Sequence, residues 1–153
     1  MGTKDQGEGY GQLLAWQRAD DLALAVFRLA RQLTHSNQWL ADQAARAAVS
    51  VPANIAEGYC RGSARDYLRF LNIARGSLGE LEYYIHFMDK AELISRPECQ
   101  HLEQLRVEAA SLLFLLIKSL RSRLERETTA GRRSLREEVE IPYDPFTPDP
   151  LTL

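Results

Sequence analysis

Acidic and basic residues nearly cancel in this chain, 21 against 19, so no global excess of charge directs it to nucleic acid or a membrane surface. Any such binding has to come from a local patch. Long apolar runs are missing as well: none is longer than the six residues of 112–117, far too short to span a bilayer. Residues 1–12 hold no apolar segment of the kind a secretory signal needs, and Gln6 stands where an N-myristoylation pattern has Ser or Thr. Cysteine is scarce, and Cys60 and Cys99 form no ligand or redox spacing, which points to reduced thiols in a cytoplasmic protein. Histidine is scarce too. Glu98 with His101 makes one Glu-x-x-His match, half of what a di-iron bundle site requires, while His35 and His86 follow Gln32 and Tyr83 at that spacing. A glycine-rich phosphate loop, a nucleophile elbow, and Ser/His/Asp or Cys/His arrangements are all absent. The expectation is a chain with no enzymatic activity, metal or cofactor.

What is present is helical periodicity. Trp16, Ala19, Ala23, Phe27 and Ala30 make one apolar row, with Leu22, Val26, Leu29 and Leu33 beside it, which predicts a first helix over residues 13–33. A second, alanine-rich helix is predicted over 39–57, its small side chains suited to close packing, with a kink or break at Pro52. Gly58 and Gly62 bracket the expected turn, and Ser63 with Asp66 reads as the N-cap of a third helix running to about Leu93. That helix carries Tyr67, Phe70, Leu71, Ala74, Leu78, Leu81, Ile85 and Met88 on one stripe. Ser95-Arg96-Pro97-Glu98 caps a fourth, whose block 112–117 is apolar all round and calls for cover on both sides by self-association. Short loops between four long helices predict an all-α, antiparallel up-and-down four-helix bundle.

The expected division is a flexible N-terminus over 1–12, the bundle over 13–128, and a disordered acidic, proline-rich tail over 129–153. Four prolines fall between Pro142 and Pro150, and from Glu137 onward there are five acids and no base. Ile141, Tyr143 and Phe146 sit between them as in a docking peptide.

Three motifs carry a resemblance: Trp16-Gln17-Arg18-Ala19; the run from Arg46 to Gly58, RAAVSVPANIAEG, with Arg61 and Ser63; and the run from Phe70 to Glu82, FLNIARGSLGELE. With them, residues 13–125 resemble the bacterial four-helix bundle family encoded in intervening sequences of large-subunit ribosomal RNA genes. That family includes the accessory variability determinant of diversity-generating retroelements. The resemblance implies a ring-shaped homopentamer and, for the retroelement branch, a non-enzymatic partner of a reverse transcriptase and its template RNA. The proline-rich tail departs from the family pattern.

Two sets of polar residues are candidates for function. Arg61, Arg65 and Arg69 are spaced i, i+4, i+8 and read as one basic ridge at the start of the third helix, with Arg18 and Arg46 adding charge elsewhere. Such a ridge contacts phosphates without regard to sequence. The same arginines are also what a solvated face paired with acids such as Asp66 presents. Asn54, Glu57, Arg75, Ser77 and Glu80 lie within or beside apolar stripes and read as a buried polar network registering the second helix against the third, with Arg75 paired to Glu57 or Glu80. Gly76 and Gly79 fit a close helix crossing. The leading expectation is an oligomer that binds RNA or DNA through the ridge and assists a nucleic-acid enzyme. The alternative is a scaffold displaying Ile141, Tyr143 and Phe146 to a partner protein.

Overall fold

A computed structural model describes residues 9–139, with side chains described through residue 130. Four α-helices make up almost all of it: α1 (Leu14–Ala30), α2 (Gln38–Cys60), α3 (Ala64–Lys90) and α4 (Arg96–Val139). Short 3-10 turns at Tyr10–Gln12 and His35–Asn37 precede α1 and α2, and no strand occurs among the described residues. No described helix is long and apolar enough to cross a membrane.

The helices close a square in which α1 packs on α2 and α4, and α3 packs on α2 and α4. The apolar stripes meet at its centre, where Leu22, Val26, Val51, Ile55, Leu71, Leu81, Ile85, Met88 and Leu113 are all but sealed from solvent. Burial of each such side chain contributes about 1.5–3 kcal/mol. The alanine row of α2 works as its composition suggests: Ala41, Ala44, Ala47 and Ala48 are buried against the neighbouring helices.

Helix starts follow their caps. Ser63 Oγ accepts the Asp66 amide at 3.4 Å. Ser95 and Glu98 make a reciprocal box, the Ser95 amide donating to Glu98 Oε2 at 2.7 Å and the Glu98 amide to Ser95 Oγ at 3.3 Å. That bonding holds the Glu98 carboxyl below the usual carboxylate range. The end of α3 has no glycine; Glu92 takes the left-handed conformation there, with φ 54°, while the Leu93 amide reaches back to the Met88 carbonyl at 2.9 Å.

Several expectations are corrected. Helix α2 runs unbroken through Pro52, which is buried in the core; burial offsets the hydrogen bond its missing N–H forgoes. Gly58 is not at a turn but inside α2, where an added Cβ would meet Phe70 Cβ at 2.7 Å, so the glycine serves the close approach of α3. The turn falls later, at Gly62 with φ +70°. Gly76 and Gly79 show the reverse: among the described residues nothing comes within 4 Å of where their Cβ atoms would stand, so the expected close helix crossing is not made there.

The expected flexible segment 1–12 is partly built in. Tyr10 packs edge-on against Trp16 at 5.2 Å, and Gln17 Nε2 donates to the Gly11 carbonyl at 2.8 Å. At the other end α4 extends to Val139, so residues 129–139 of the expected tail are helical. Arg132, Arg133, Leu135, Arg136, Glu137 and Glu138 are strong helix formers, and the first proline of the tail, Pro142, lies beyond them. Ile141, Tyr143 and Phe146 lie outside the described residues.

Candidate nucleic-acid interface

The turn between α2 and α3 gathers cations from both helices. Arg61 caps the C-terminus of α2 rather than starting α3, so the three arginines do not form one ridge along α3. Folding the chain at Gly62 nevertheless brings Arg61 and Arg69 onto one side chain. Their guanidinium carbons lie 5.1 and 4.7 Å from the centroid of the Phe70 ring, which is itself buried. Arg65, one turn before Arg69, is exposed.

Acids share this surface. Arg61 is ion-paired to Glu57, whose hydrogen bond raises the guanidinium pKa, and Arg69 Nε lies 3.9 Å from Asp66. The alternative of a paired, solvated face is therefore met in part. Arg18 and Arg46 do not join the cluster. Arg18 bridges Asp21 at 2.9 Å and Glu108 of α4 at 3.7 Å, strapping α1 to α4. Arg46 is exposed on α2, about 20 Å along the helix from Arg61 at 1.5 Å per residue.

Two contributions were not legible in the spacing. Beside the turn is a cleft of about 270 Å³ lined by Gly58, Tyr59, Gly62, Ser63, Ala64, Tyr67, Leu120 and Arg123. It brings the late part of α4, with Lys118, Arg121, Arg123 and Arg126, to the same end of the bundle as the arginine turn. Residues 57–69 and 118–127 together hold seven cations and four acids. The run of bases in α4 was a visible signal, but it reads equally as a complement to the helix dipole. Tyr67 lines the cleft, but its hydroxyl is sealed from solvent and has no hydrogen-bond partner among the described residues, and burial pushes its pKa up to about 12.

The expected polar network exists in reduced form. Ser77 Oγ lies 2.9 Å from Ser50 Oγ, and Asn54 Nδ2 donates to the Ser50 carbonyl at 2.7 Å and to Ser50 Oγ at 3.0 Å. Ser50 was missed because serine is unremarkable inside a helix. Glu57, Arg75 and Glu80 are outside this network. Glu57 goes to Arg61, Glu80 accepts the Tyr84 hydroxyl at 3.0 Å, and Arg75 is exposed and pairs with neither acid. Instead the partly buried Arg106 bridges two helices; its side chain is 13% exposed and holds Glu103 at 2.7 Å and Glu82 of α3 at 3.3 Å.

No group of three metal-ligating side chains gathers among the described residues. Glu98 and His101 line a separate cleft with Arg28 and Gln32 at the opposite end of α4's packed length.

Comparison with known proteins places the chain. The fold resembles the crystal structure of a protein of unknown function from the S23 ribosomal protein family of Bacteroides thetaiotaomicron. The two share 25% identity over 69% of this chain and 99% of that one, with a TM-score of 0.65. No curated protein matches. The family model for the 23S rRNA-intervening sequence protein matches residues 11–114, which contain all three motifs singled out above. By that match, the chain belongs to the 23S rRNA-intervening sequence protein family.

Proposed function

We propose that this chain is a non-enzymatic, self-associating bundle of the cytoplasm that binds RNA through the cationic end formed by the α2–α3 turn and the late part of α4. The observation that carries this reading is the stacking of Arg61 and Arg69 on Phe70. Two guanidinium groups held on a buried ring have lost much of their rotamer freedom before any phosphate arrives, so less ordering cost falls on binding. Both remain half exposed or more, at 51% and 64% of their side-chain area. The acids beside them weaken the patch without cancelling it, since exposed pairs of this kind are worth about 0–1 kcal/mol. RNA is the polymer named in the family's description. The accessory role beside a reverse transcriptase that the sequence motifs imply suits a surface that grips a backbone and reads no bases.

The helices are read as antiparallel because paired positions run in opposite senses: Ser50 with Ser77 and Gly58 with Phe70, Glu82 with Arg106 and Asp89 with Arg96. Assembly into a ring, a pentamer by the family resemblance, is supported by apolar side chains the bundle leaves outside. Val107, Phe114 and Leu115 of α4 are 51%, 59% and 58% exposed.

The test is charge reversal of Arg61, Arg65 and Arg69 to Glu in the full chain. Retention of a single-stranded RNA at low salt should fall, and the slope of log affinity against log salt should flatten by about 2, at roughly 0.7 per phosphate contact. Wild-type protein that retains no RNA at low salt removes the reading.

A further inference from the structure

Gly58 lacks the side chain that would hold α3 at a distance, and this brings Tyr67 against the last turn of α2. Tyr59, the next residue, meets Tyr67 edge to face, with ring centroids 6.1 Å apart and planes at 89°. Two rings at a right angle make a corner, where a third flat ring can lie against one wall with its edge toward the other. The corner stands in the cleft beside the α2–α3 turn, and Leu120 and Arg123 of α4 complete the lining. Tyr59 keeps 40% of its surface exposed, a large aromatic left in water at the end of a helix. Phosphate contacts alone account for neither the ring nor the cleft.

We propose that this cleft takes one unpaired base of an RNA strand, stacked on Tyr59, while the arginines around it hold the neighbouring phosphates. The inference rests on the RNA reading and deepens it, naming unpaired RNA as the form that gains a contact of its own.

Size is the first support. At about 270 Å³ the cleft falls below the roughly 300–1,000 Å³ of pockets that enclose a whole small molecule. It has room for one flat heterocycle, with sugar and phosphate left outside. The lining is the second. Its walls at Tyr59, Tyr67, Ala64 and Leu120 are aromatic and apolar, and the Tyr67 hydroxyl is sealed from solvent. A base therefore meets these walls by its face, and no hydroxyl within them reads its edge. Stacking of this kind tolerates any base, because every base has a π face. That suits a surface which grips a backbone without regard to sequence. Charge is the third, and it favours a nucleotide over the side chain of a partner protein. Arg123 stands at the cleft in an exposed pair with Glu127, and Arg61 directly precedes Gly62 of the lining. Arg61 in turn shares the Phe70 ring with Arg69. Cations of α3, α4 and the turn thus flank the cleft, as a polyanion passing it requires. A duplex gains nothing here: its bases are covered by their neighbours, so only phosphate contacts remain to it.

The experiment measures binding of the full chain at low salt to an unstructured oligouridylate and to a blunt RNA duplex of the same length. A fluorescent aminopurine at the centre of the single strand reports stacking, and its emission should fall when wild-type protein binds. Tyr59→Leu keeps an apolar side chain and removes the ring. It should weaken single-strand binding by about tenfold, within the range for loss of one base–aromatic stack, and leave the bound aminopurine bright. Duplex affinity and the salt slope should not change, since no charge is altered. Tyr59→Trp keeps a ring and should bind the single strand at least as tightly as wild type, which separates stacking from packing. Emission that stays bright on RNA bound to wild type overturns the stacking and leaves the phosphate contacts standing. Equal single-strand affinities of wild type and Tyr59→Leu do the same. A Leu variant that binds RNA normally but sediments as a smaller particle assigns the cleft to a side chain of a second copy, and the proposal falls. Should neither RNA be retained by wild type at low salt, the RNA reading is lost and this inference with it.

Discussion

Two glycines in consecutive helices, Gly58 and Gly76, look alike on paper and do opposite things. Gly58 lies where α3 comes closest, and a methyl group there would sit 2.7 Å from Phe70 Cβ and 2.9 Å from Tyr67 Cδ2. Neither is the far end of a flexible side chain, so α3 itself has to shift. Gly58→Ala is expected to destabilise by about 1–3 kcal/mol from overpacking, less the roughly 1 kcal/mol that alanine returns to a helix. At Gly76 the same substitution meets nothing and should stabilise by about 0.5–1 kcal/mol. Urea unfolding of the two variants checks the contrast; equal signs would refute it. Tyr67 supplies a prediction in pH. Its phenol is raised from about 10 to about 12 in the fold, first because burial disfavours the phenolate and then because Tyr59 is near. A raised acid contributes stability that is fully present below the unfolded value and is lost as pH rises through the folded one. Thermal stability should therefore drop between about pH 10 and pH 12 more steeply for wild type than for Tyr67→Phe. Coincident curves across that window would dispose of the idea.

Between elements, the register of α2 on α3 is set by the close approach at Gly58 and by the Ser50–Ser77 contact with Asn54 behind it. Both serines face a partly buried seam, so removing one leaves the other's hydroxyl poorly satisfied. A double-mutant cycle of Ser50→Ala and Ser77→Ala should give a coupling energy of about 0.5–1.5 kcal/mol, and additive losses would mean the contact does nothing for register. The same two helices show where sequence reasoning succeeds and where it stops. The caps at Ser63 and Ser95 were legible because a cap depends on three or four neighbouring residues. The apolar stripe of α3 was legible because periodicity alone places it on one face. Pro52 and Gly58 were misread as breaks, because whether a helix continues through them is decided by what packs outside, and both are buried. Glu57, Arg75 and Glu80 were misread as network members for a related reason. Proximity to an apolar stripe does not say which side of its edge a residue falls on, and a rotation of a few tens of degrees moves each to solvent. The partners that do converge, Arg61 with Arg69 and the late α4 bases with the turn, come from segments that only the folded chain brings together.

At the scale of the whole molecule the question is what covers α4. Its block from Leu112 to Ile117 was expected to need cover on both sides, and this chain supplies one: Leu113 and Ile117 are buried while Phe114 and Leu115 point out. Val107 precedes them by seven and eight residues, which puts all three on one outward stripe. Apolar side chains gathered along one helix in this way mark an interface more often than scattered surface hydrophobics do. Because Phe114 and Leu115 fill no part of the core, Phe114→Ser with Leu115→Lys should leave the helical content and the unfolding midpoint of the single chain nearly unchanged. Withdrawing the burial of two such side chains costs about 2 kcal/mol each, which is roughly a thousandfold in the dissociation constant of each contact between copies. Sedimentation equilibrium at micromolar concentration should then show the wild type associated and the variant dissociated, with both folded. A wild type that sediments as a stable, well-folded single chain would mean this stripe is tolerated in water. The ring, and with it the display of several cationic ends on one particle, would then have no physical basis.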